Sequence, residues 1–305
     1  MDKQFDLLVA GEINPDLILS GDVNPVFGQV EKLVDAAVLA IGSSSAIFAC
    51  GAARLGLKVA FIGVCGEDLF GRFMRESLAG RGVDVSAVIV DPGQQTGLSV
   101  ILSRGGDRAI LTHAGALAAL RAEQVTDDLL RQSRHLHVAS YFLQTALRPG
   151  LPDLFRRAHG LGLSTSLDTN WDPAGEWCGL NELLSLTDVF LPNENEALAI
   201  TRANSAGDAL QRLGSLAGTV AVKRGREGAL GCRGEQMASA PAMQVEVVDT
   251  IGAGDTFDAG FLTGWLNGWR LDKCLRLGVA CGSLSTRRAG GTTAQPTLEE
   301  ALQHV

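Results

Sequence analysis

Short apolar runs alternate with longer amphipathic segments along most of the chain. FDLLVAG at 5–11, HLHVAS at 135–140 and TVAVKRG at 219–225 are continuous and apolar, as buried strands are. SAIFACGAARLG, FGRFMRESLAGRG and GLPDLFRRAHGLG instead carry apolar residues at the spacing of one helix face. This alternation predicts an α/β fold: a three-layer α/β/α sandwich around a mostly parallel central sheet.

Two regions break this alternation. Residues 14–41 and 96–113 alternate in a β-like way, with Gly-rich turns such as SRGGDR. We interpret them as a small antiparallel sheet that forms a lid over a ligand. No low-complexity linker or internal repeat divides the 305 residues. The sequence therefore predicts one domain, 1–305, that includes these lid segments.

Composition narrows the class of protein. The formal net charge of -8 argues against a nucleic-acid binder, which normally carries a basic face. The six cysteines include no CxxC pair, which favours reduced thiols in a cytoplasmic protein. The N-terminus lacks the apolar stretch of a signal peptide. No segment approaches about 18 unbroken apolar residues, so we expect no membrane span.

The stretch DTIGAGDTFDAGF at 249–261 contains an unusual turn. VEVV before it resembles a strand, and aromatic residues recur every four positions after it: Phe257, Phe261 and Trp265. Gly252, Ala253 and Gly254 have almost no side-chain bulk, so their backbone N–H groups could approach an anion at a helix N-terminus. Asp255 would then lie beside that anion. The simpler interpretation is a tight turn followed by a carboxylate that favours the helix dipole.

This stretch resembles the C-terminal signature of the ribokinase-like (PfkB) carbohydrate and nucleoside kinases. The resemblance continues through most of the chain, in the family's order: GAARLG at 51–56, GVCGEDLFG at 63–71, HAGALAAL at 113–120, LPNENEA at 191–197 and VAVKRGREGAL at 220–230. It implies the ribokinase-like fold and ATP-dependent phosphorylation of a hydroxyl. In that reaction Asp255 would be the general base, and residues 252–254 would stabilise the transferring phosphoryl group.

The resemblance also implies nucleotide and magnesium contacts. Asn193 and Glu196 have the spacing of a helix capping box, and that role is sufficient on spacing alone. In the family these two residues act near the phosphates, with Glu196 reaching Mg²⁺ through water. Other residues expected near ATP belong to a turn or to the signature itself: Lys223, Gly225, Gly228, Thr250 and Gly254. For Gly225 and Gly228, a plain hairpin turn is the alternative.

A monovalent cation, K⁺ in most family members, is a further implication. Its expected ligands lie at both ends of the signature and in the C-terminal Gly-rich loop: Asp249, the carbonyl of Ile251, Ser285, Arg288 and Gly290. The two arginines of that loop are otherwise ordinary surface charges.

For the acceptor, the resemblance indicates Asp16, with Asn14 in the same turn, because a carboxylate can accept two hydrogen bonds from a vicinal diol. Asn14-Pro15-Asp16 is also a good turn sequence without any function. Asp168 and Asn170 match a family strand end, but Asp172 stands where an arginine is usual, which weakens the case for a phosphorylated acceptor. Tyr141 is expected either in the acceptor pocket or in the core.

The segment AIGSSSAIFACGAARLG departs from the family pattern. The family usually has two adjacent glycines where Gly42 and Ser43 stand, and an asparagine that contacts the sugar where Ile47 stands. Isoleucine cannot hydrogen-bond a hydroxyl, so recognition of ribose or fructose in the family's usual way is in doubt. The serines at 43–45 either compensate for this loss or cap a helix.

We therefore predict a kinase that phosphorylates a sugar or a sugar-like small molecule, using ATP, Mg²⁺ and K⁺. The alternatives are a nucleoside kinase of the same family and a non-catalytic ligand sensor on the same scaffold. A Rossmann dehydrogenase is disfavoured because VAGEINPD, without GxGxxG, follows the first strand. Exposed lid edges favour a homodimer through the lid.

Overall fold

The computed structural model describes residues 3–104 and 107–305. The two glycines of the predicted SRGGDR turn, at 105 and 106, lie outside the described residues. The strands are β1 (Phe5–Ala10), β2 (Pro15–Ser20), β3 (Ala36–Ile41), β4 (Val59–Ile62), β5 (Val64–Gly66), β6 (Val83–Asp84), β7 (Ile89–Asp91), β8 (Leu98–Arg104), β9 (Asp107–His113), β10 (Ser133–Val138), β11 (Ser164–Leu167), β12 (Val189–Phe190), β13 (Thr219–Lys223), β14 (Ala229–Arg233) and β15 (Gln236–Ala240). The α-helices are α1 (Ser44–Arg54), α2 (Leu69–Ala79), α3 (Asp127–Arg131), α4 (Leu151–Gly160), α5 (Asn181–Leu184), α6 (Glu194–Thr201), α7 (Ala206–Gly214), α8 (Ala253–Leu266), α9 (Leu271–Ser285) and α10 (Leu298–Leu302).

The main sheet has nine strands in the order β15-β14-β13-β12-β11-β10-β1-β4-β6. The pairs from β13 to β6 are parallel, and β14 and β15 add an antiparallel edge. The chain builds outward from β1 in one direction through β4 and β6, and in the other through β10 to β13. The strand order therefore reverses between β1 and β10, where α/β sheets open a crevice at the carboxyl ends of the strands.

Each face of the main sheet is covered by its own apolar layer. Leu7 and Val9 of β1 pack with α1, α8 and α9, while Leu8 and Ala10 belong to the opposite layer with α4 and α7. Adjacent residues of a strand point to opposite faces, so a strand buried on both faces is apolar throughout. The predicted three-layer sandwich is confirmed.

A separate four-stranded sheet, which we call the lid, consists of β2, β3, β8 and β9 in the order β3-β2-β8-β9. Its residues fall within the segments predicted at 14–41 and 96–113. The prediction of an antiparallel sheet is wrong in one pair: β2 and β8 are parallel, because they enter the lid from the same side of the main sheet.

The segment before the glycine turn also differs from its prediction. Residues 241–252 form no strand, and Val247 and Val248 are more than half exposed. The segment contacts the end of α9 instead of a strand: the N–H groups of Val248 and Asp249 donate to the carbonyl of Thr286. The predicted helix is present: α8 begins at Ala253, directly after the turn.

Candidate active site

A cavity of about 850 Å³ lies between the carboxyl edge of the main sheet and the lid. A second cavity of about 290 Å³ has a largely apolar wall. The residues that line both cavities are Lys223, Gly225, Thr250 and Gly254. The predicted nucleotide and acceptor residues thus converge on two adjoining spaces, with α8 beginning where they meet.

The glycine turn has the conformation that its sequence predicts. Gly252 precedes α8 with φ of 70°, in the left-handed region that favours glycine. A Cβ at this position would lie 2.8 Å from Ile47 Cγ2, so the turn also needs glycine for space. Ile47 is buried against this turn and lines the larger cavity. Ile47 therefore supports the glycine turn and has no polar group to offer an acceptor.

Asp255 lies in the first turn of α8 and lines the larger cavity. Burial raises the pKa of Asp255 to about 8, and the negative charges of Asp168 and Glu12 act in the same direction. Lys223 and the hydroxyl of Ser44 oppose this shift. A carboxylate with a pKa in this range can accept a proton from a hydroxyl more readily than an ordinary aspartate.

A buried ion cluster lies beside the turn. Lys223 Nζ donates to Asp168 Oδ2 at 2.8 Å and to Asp258 Oδ2 at 2.9 Å. Burial alone would raise the pKa of Asp168, but the charge of Lys223 and the hydrogen bonds from Asp258, Lys223 and the Asn170 N–H together outweigh it, and the pKa falls to about 2. Burial raises the pKa of Asp258 well above its ordinary value. Lys223 therefore stabilises the charged form of Asp168, whereas burial disfavours the charged form of Asp258.

This cluster is close to the anion-binding turn. A Cβ added to Gly254 would lie 3.7 Å from Lys223 Nζ. Asp168 and Asp258 together raise the pKa of Lys223 above its ordinary value, despite its burial. A permanent positive charge therefore lies where the two cavities meet.

Asn193 and Glu196 form the predicted capping box at the start of α6. The Glu196 backbone N–H donates to Asn193 Oδ1 at 3.0 Å, and the Asn193 backbone N–H donates to Glu196 Oε2 at 2.9 Å. Both side chains also line the larger cavity. Burial, followed by the charge of Asp168, raises the pKa of Glu196 to about 7. This carboxylate would be stabilised by a nearby cation.

The residues expected to hold a monovalent cation lie in two groups. Asp249 accepts backbone hydrogen bonds from Ile251 at 3.0 Å and from Gly290 at 2.9 Å, which ties the start of the signature to the C-terminal loop. Ser285 donates to the carbonyl of Gly282 within α9, and Arg288 is exposed. Among the described residues, no cluster of three acidic, histidine or cysteine side chains is arranged to hold a metal ion.

Asp16 and Asn14 lie on the acceptor side of the larger cavity. Burial raises the pKa of Asp16 to about 7, although Arg108 of the lid acts against it. Asn14 Oδ1 is buried without a hydrogen-bond partner. Gly42 packs directly on Asp16, since a Cβ there would overlap its carboxylate. These groups leave acceptors and donors available to a polar ligand.

The other residues predicted on the acceptor side differ in position: some line the larger cavity and others are structural. Asn170 lines the cavity, and Ser43 is the N-cap of α1, where it accepts from the Ala46 N–H at 3.2 Å. Tyr141 does not line either cavity: it is buried in the core, and its hydroxyl donates to the carbonyl of Gly179 at 3.1 Å. The assignment of Tyr141 to the acceptor pocket is therefore not supported, because its ring points into an apolar layer.

Sequence reasoning missed several residues that line or support the site: Glu12, Ser140, Trp171, Arg108 and Asp258. For Asp258 a signal was available. It lies one turn after Asp255 on a helix whose other buried residues are uncharged, and a buried charge in such a place needs a partner. Glu12 gave the same signal, because it is a charged residue two positions after a strand whose last four residues are buried and apolar.

The model of the pfkB family of carbohydrate kinases matches residues 5–298. Ribokinase of Haemophilus influenzae is 29% identical over 306 residues, which cover 97% of this chain and 97% of that protein. The ATP-dependent ribose-1-phosphate kinase of Halopiger xanaduensis is 30% identical over 296 residues, which cover 96% of this chain and 95% of that protein. The structure of Arabidopsis thaliana ribokinase complexed with ribose and ATP is similar with a TM-score of 0.86 and 25% identity, over 98% of each chain.

The parallel sheet with its lid defines a ribokinase-like α/β enzyme. The chain belongs to the pfkB family and is a carbohydrate kinase. The resemblance inferred from the signature at 249–261 is thus confirmed. Among the described residues, no helix is both long enough and apolar enough to cross a membrane.

Proposed function

We propose that this kinase transfers the γ-phosphoryl group of ATP to a hydroxyl of a sugar or sugar-like molecule, with Asp255 as general base. The position of Asp255 carries the proposal. It lies in the first turn of α8, beside the glycine turn, and it faces the cavity that Asp16 and Asn14 also line. An acceptor bound to Asp16 would be enclosed between the lid and the start of α8.

Residues 252–254 and Lys223 would stabilise the transferring group. Backbone N–H groups at a helix N-terminus favour an anion, and the helix dipole adds about half a positive charge there. Phosphoryl transfer leaves little covalent work for a protein, so such fixed donors are the main contribution. Asp255 would remove the proton from the attacking hydroxyl, and the lid would exclude competing water.

The smaller cavity suits the nucleotide base. Its wall includes Met243, Val245 and Phe257, and it reaches Gly225 and Gly228 of the hairpin turn. Gly228 has φ of 83°, and a Cβ there would overlap the backbone near Ala240, so this turn needs glycine. Thr250 would lie at the junction, near the phosphates.

Mg²⁺ fits beside Glu196, because burial and the charge of Asp168 raise the pKa of Glu196 to about 7 despite the charge of Lys223, and a further cation would stabilise the carboxylate. Mg²⁺ binds few protein ligands and retains several waters, so Asn193 and Glu196 would hold it through water. The bound ion would neutralise charge on the phosphates of ATP. For K⁺, we propose a site at Asp249 and the Ile251 carbonyl, closed by the loop of Ser285, Arg288 and Gly290.

We also propose a homodimer formed through the lid, and a cytoplasmic location. Lid residues with large exposed apolar side chains are Val38, Leu39, Ile110 and Leu111. An apolar patch on an edge strand is a typical interaction surface. Unpaired cysteines, most of them buried, suit a reducing compartment.

The test is acceptor-dependent ADP release from Mg-ATP in K⁺ buffer, across ribose, ribose 1-phosphate, fructose, keto-deoxy acids, polyols and nucleosides. Asp255→Asn is expected to retain the fold and ATP binding but to lose roughly 10²–10⁴-fold in kcat. Asp208→Asn is a matched control, because Asp208 lies in the first turn of α7 and lines neither cavity.

Each outcome separates the candidates. Turnover only with nucleosides would show that the enzyme is a nucleoside kinase and not a sugar kinase. ATP binding with no turnover on any acceptor would support the sensor. Near-normal kcat in Asp255→Asn would show that another group removes the proton.

A further inference from the structure

Glu12 is a buried carboxylate at the point where the strand order of the main sheet reverses. It follows β1 by two residues, is 3% exposed and lines the larger cavity. Its Oε1 accepts from Ser140 Oγ at 2.7 Å and from the Ser45 N–H at 3.2 Å, and its Oε2 accepts from Ser45 Oγ at 2.5 Å. Glu12 thus joins the end of β10 to the start of α1.

The hydrogen bonds continue from Glu12 around the acceptor side of the cavity. Asn170 Nδ2 lies 3.3 Å from Ser140 Oγ and 3.2 Å from Ser44 Oγ. Ser44 in turn faces Asp255. Residues from four separate segments, after β1, β10 and β11 and at the start of α1, therefore form one connected polar wall. We call Glu12, Ser44, Ser140 and Asn170 the polar wall.

Backbone conformation marks the same place. Ser43, Ser140 and Asn170 have φ of 70°, 54° and 54°, and they are three of six non-glycine residues with positive φ among the described residues. Ser43 also donates to the Glu12 carbonyl at 2.6 Å. Left-handed backbone costs energy for residues other than glycine and concentrates at functional sites. These three left-handed residues lie where their segments come together around Glu12.

The polar wall can form the hydrogen bonds to an acceptor that the residue at position 47 cannot. Ile47 packs on the glycine turn and cannot hydrogen-bond an acceptor, whereas all four members of the polar wall line the cavity. Burying a carboxylate costs free energy, and for Glu12 hydrogen bonds from serines offset that cost. We propose that Glu12 is a positioning residue that fixes Ser140, Asn170 and Ser44 as the hydroxyl-binding wall for the acceptor. This inference rests on the proposed function, and it concerns which residues recognise the acceptor.

A positioning role has a second consequence at Asp255. The groups that face Asp255 are Asp168, Lys223 and Glu12, and the negative charge of Glu12 raises the pKa of Asp255. Removal of that charge should move the acid limb of kcat/KM to lower pH. This shift tests the charge of Glu12 beside Asp255, and the KM for the acceptor tests its positioning role.

The experiment compares Glu12→Gln, Ser140→Ala and Ser133→Ala with the wild type, using ribose, fructose and 2-dehydro-3-deoxygluconate as acceptors. Glu12→Gln keeps the shape but places an amide against the Ser45 hydroxyl, and Ser140→Ala removes the link to Asn170. Ser133→Ala is the matched control: Ser133 is a buried serine of β10 whose hydroxyl has no partner, and it lines neither cavity.

For Glu12→Gln and Ser140→Ala, KM for the acceptor should rise about tenfold or more while KM for ATP stays unchanged. The acid limb should move to lower pH only in Glu12→Gln, and Ser133→Ala should match the wild type. If Glu12→Gln does not fold, Ser140→Ala alone carries the test of acceptor KM. An unchanged acceptor KM in folded variants overturns the role of Glu12 and leaves the kinase in place. Absence of turnover in the wild type overturns the proposed function, and this inference with it.

Discussion

At the residue scale, the proposed role of Asp255 as general base predicts how activity should depend on pH. Its pKa is raised to about 8 by burial and by neighbouring carboxylates, so most of it is protonated below that pH. Only the deprotonated form can accept a proton. We therefore expect kcat/KM to rise with pH through a midpoint near 8, because this parameter reports the free enzyme. A profile that is flat from pH 6 to about 9 would contradict this assignment.

The two carboxylates around Lys223 should respond differently to the same substitution. Asp168 carries the charge that pairs with Lys223, so Asp168→Asn leaves a buried cation unpaired and should cost about 3–5 kcal/mol of unfolding free energy. Burial disfavours the charged form of Asp258, so Asp258→Asn removes less charge pairing and should cost less, about 1 kcal/mol. Urea unfolding at neutral pH measures both. Equal losses would show that the charge is shared between them.

Residues within one local motif could be predicted from sequence, and residues joined across the fold could not. Gly252 and Asp255 belong to one turn, and Asn193 and Glu196 to one capping box, so their geometry is local. Glu12 meets Ser140 only because β1 and β10 are neighbours in the sheet, and that pairing is absent from the linear sequence.

At the element scale, the turn between β3 and α1 fixes the position of Asp16. Gly42 has no side chain because Asp16 of β2 occupies that space. Gly42→Ala should therefore displace the Asp16 carboxylate and raise acceptor KM about tenfold, equivalent to about 1.4 kcal/mol, with ATP KM unchanged. Gly160→Ala at the end of α4 is the control, because a Cβ there meets nothing within 4 Å. Equal kinetics in both variants would show that Asp16 does not bind the acceptor.

Helices and central strands were predictable because their periodicity is strong and their environment uniform. The exposed segments were less so. VEVV at 245–248 has the residues of a strand, but Val248 donates its N–H to Thr286 at the end of α9 instead of pairing with a strand. The parallel pairing of β2 with β8 depends on how the lid leaves the main sheet. Strand preference describes a partly buried surface more than a backbone property.

At the scale of the whole molecule, the lid edge should determine the oligomeric state. Leu111 of β9 is 63% exposed, and Leu69 of α2, outside the lid, is 70% exposed. If the lid forms the dimer, Leu111→Lys should produce monomers because it buries an unpaired charge in the interface, whereas Leu69→Lys should leave the dimer intact. Sedimentation velocity distinguishes these outcomes. A wild-type monomer, or a dimer that survives Leu111→Lys, would exclude this interface.

β2 contributes both to the proposed acceptor site and to the lid. It carries Asp16, and it is a central strand of the lid, paired with β3 on one side and β8 on the other. A mutation in β2 that changes which sugar is bound also alters a central strand of the lid. As such kinases diverge, a change in acceptor specificity and a change in lid movement would therefore occur together. Specificity in this architecture cannot be retuned one property at a time, so a new acceptor should require compensating changes in β3 and β8.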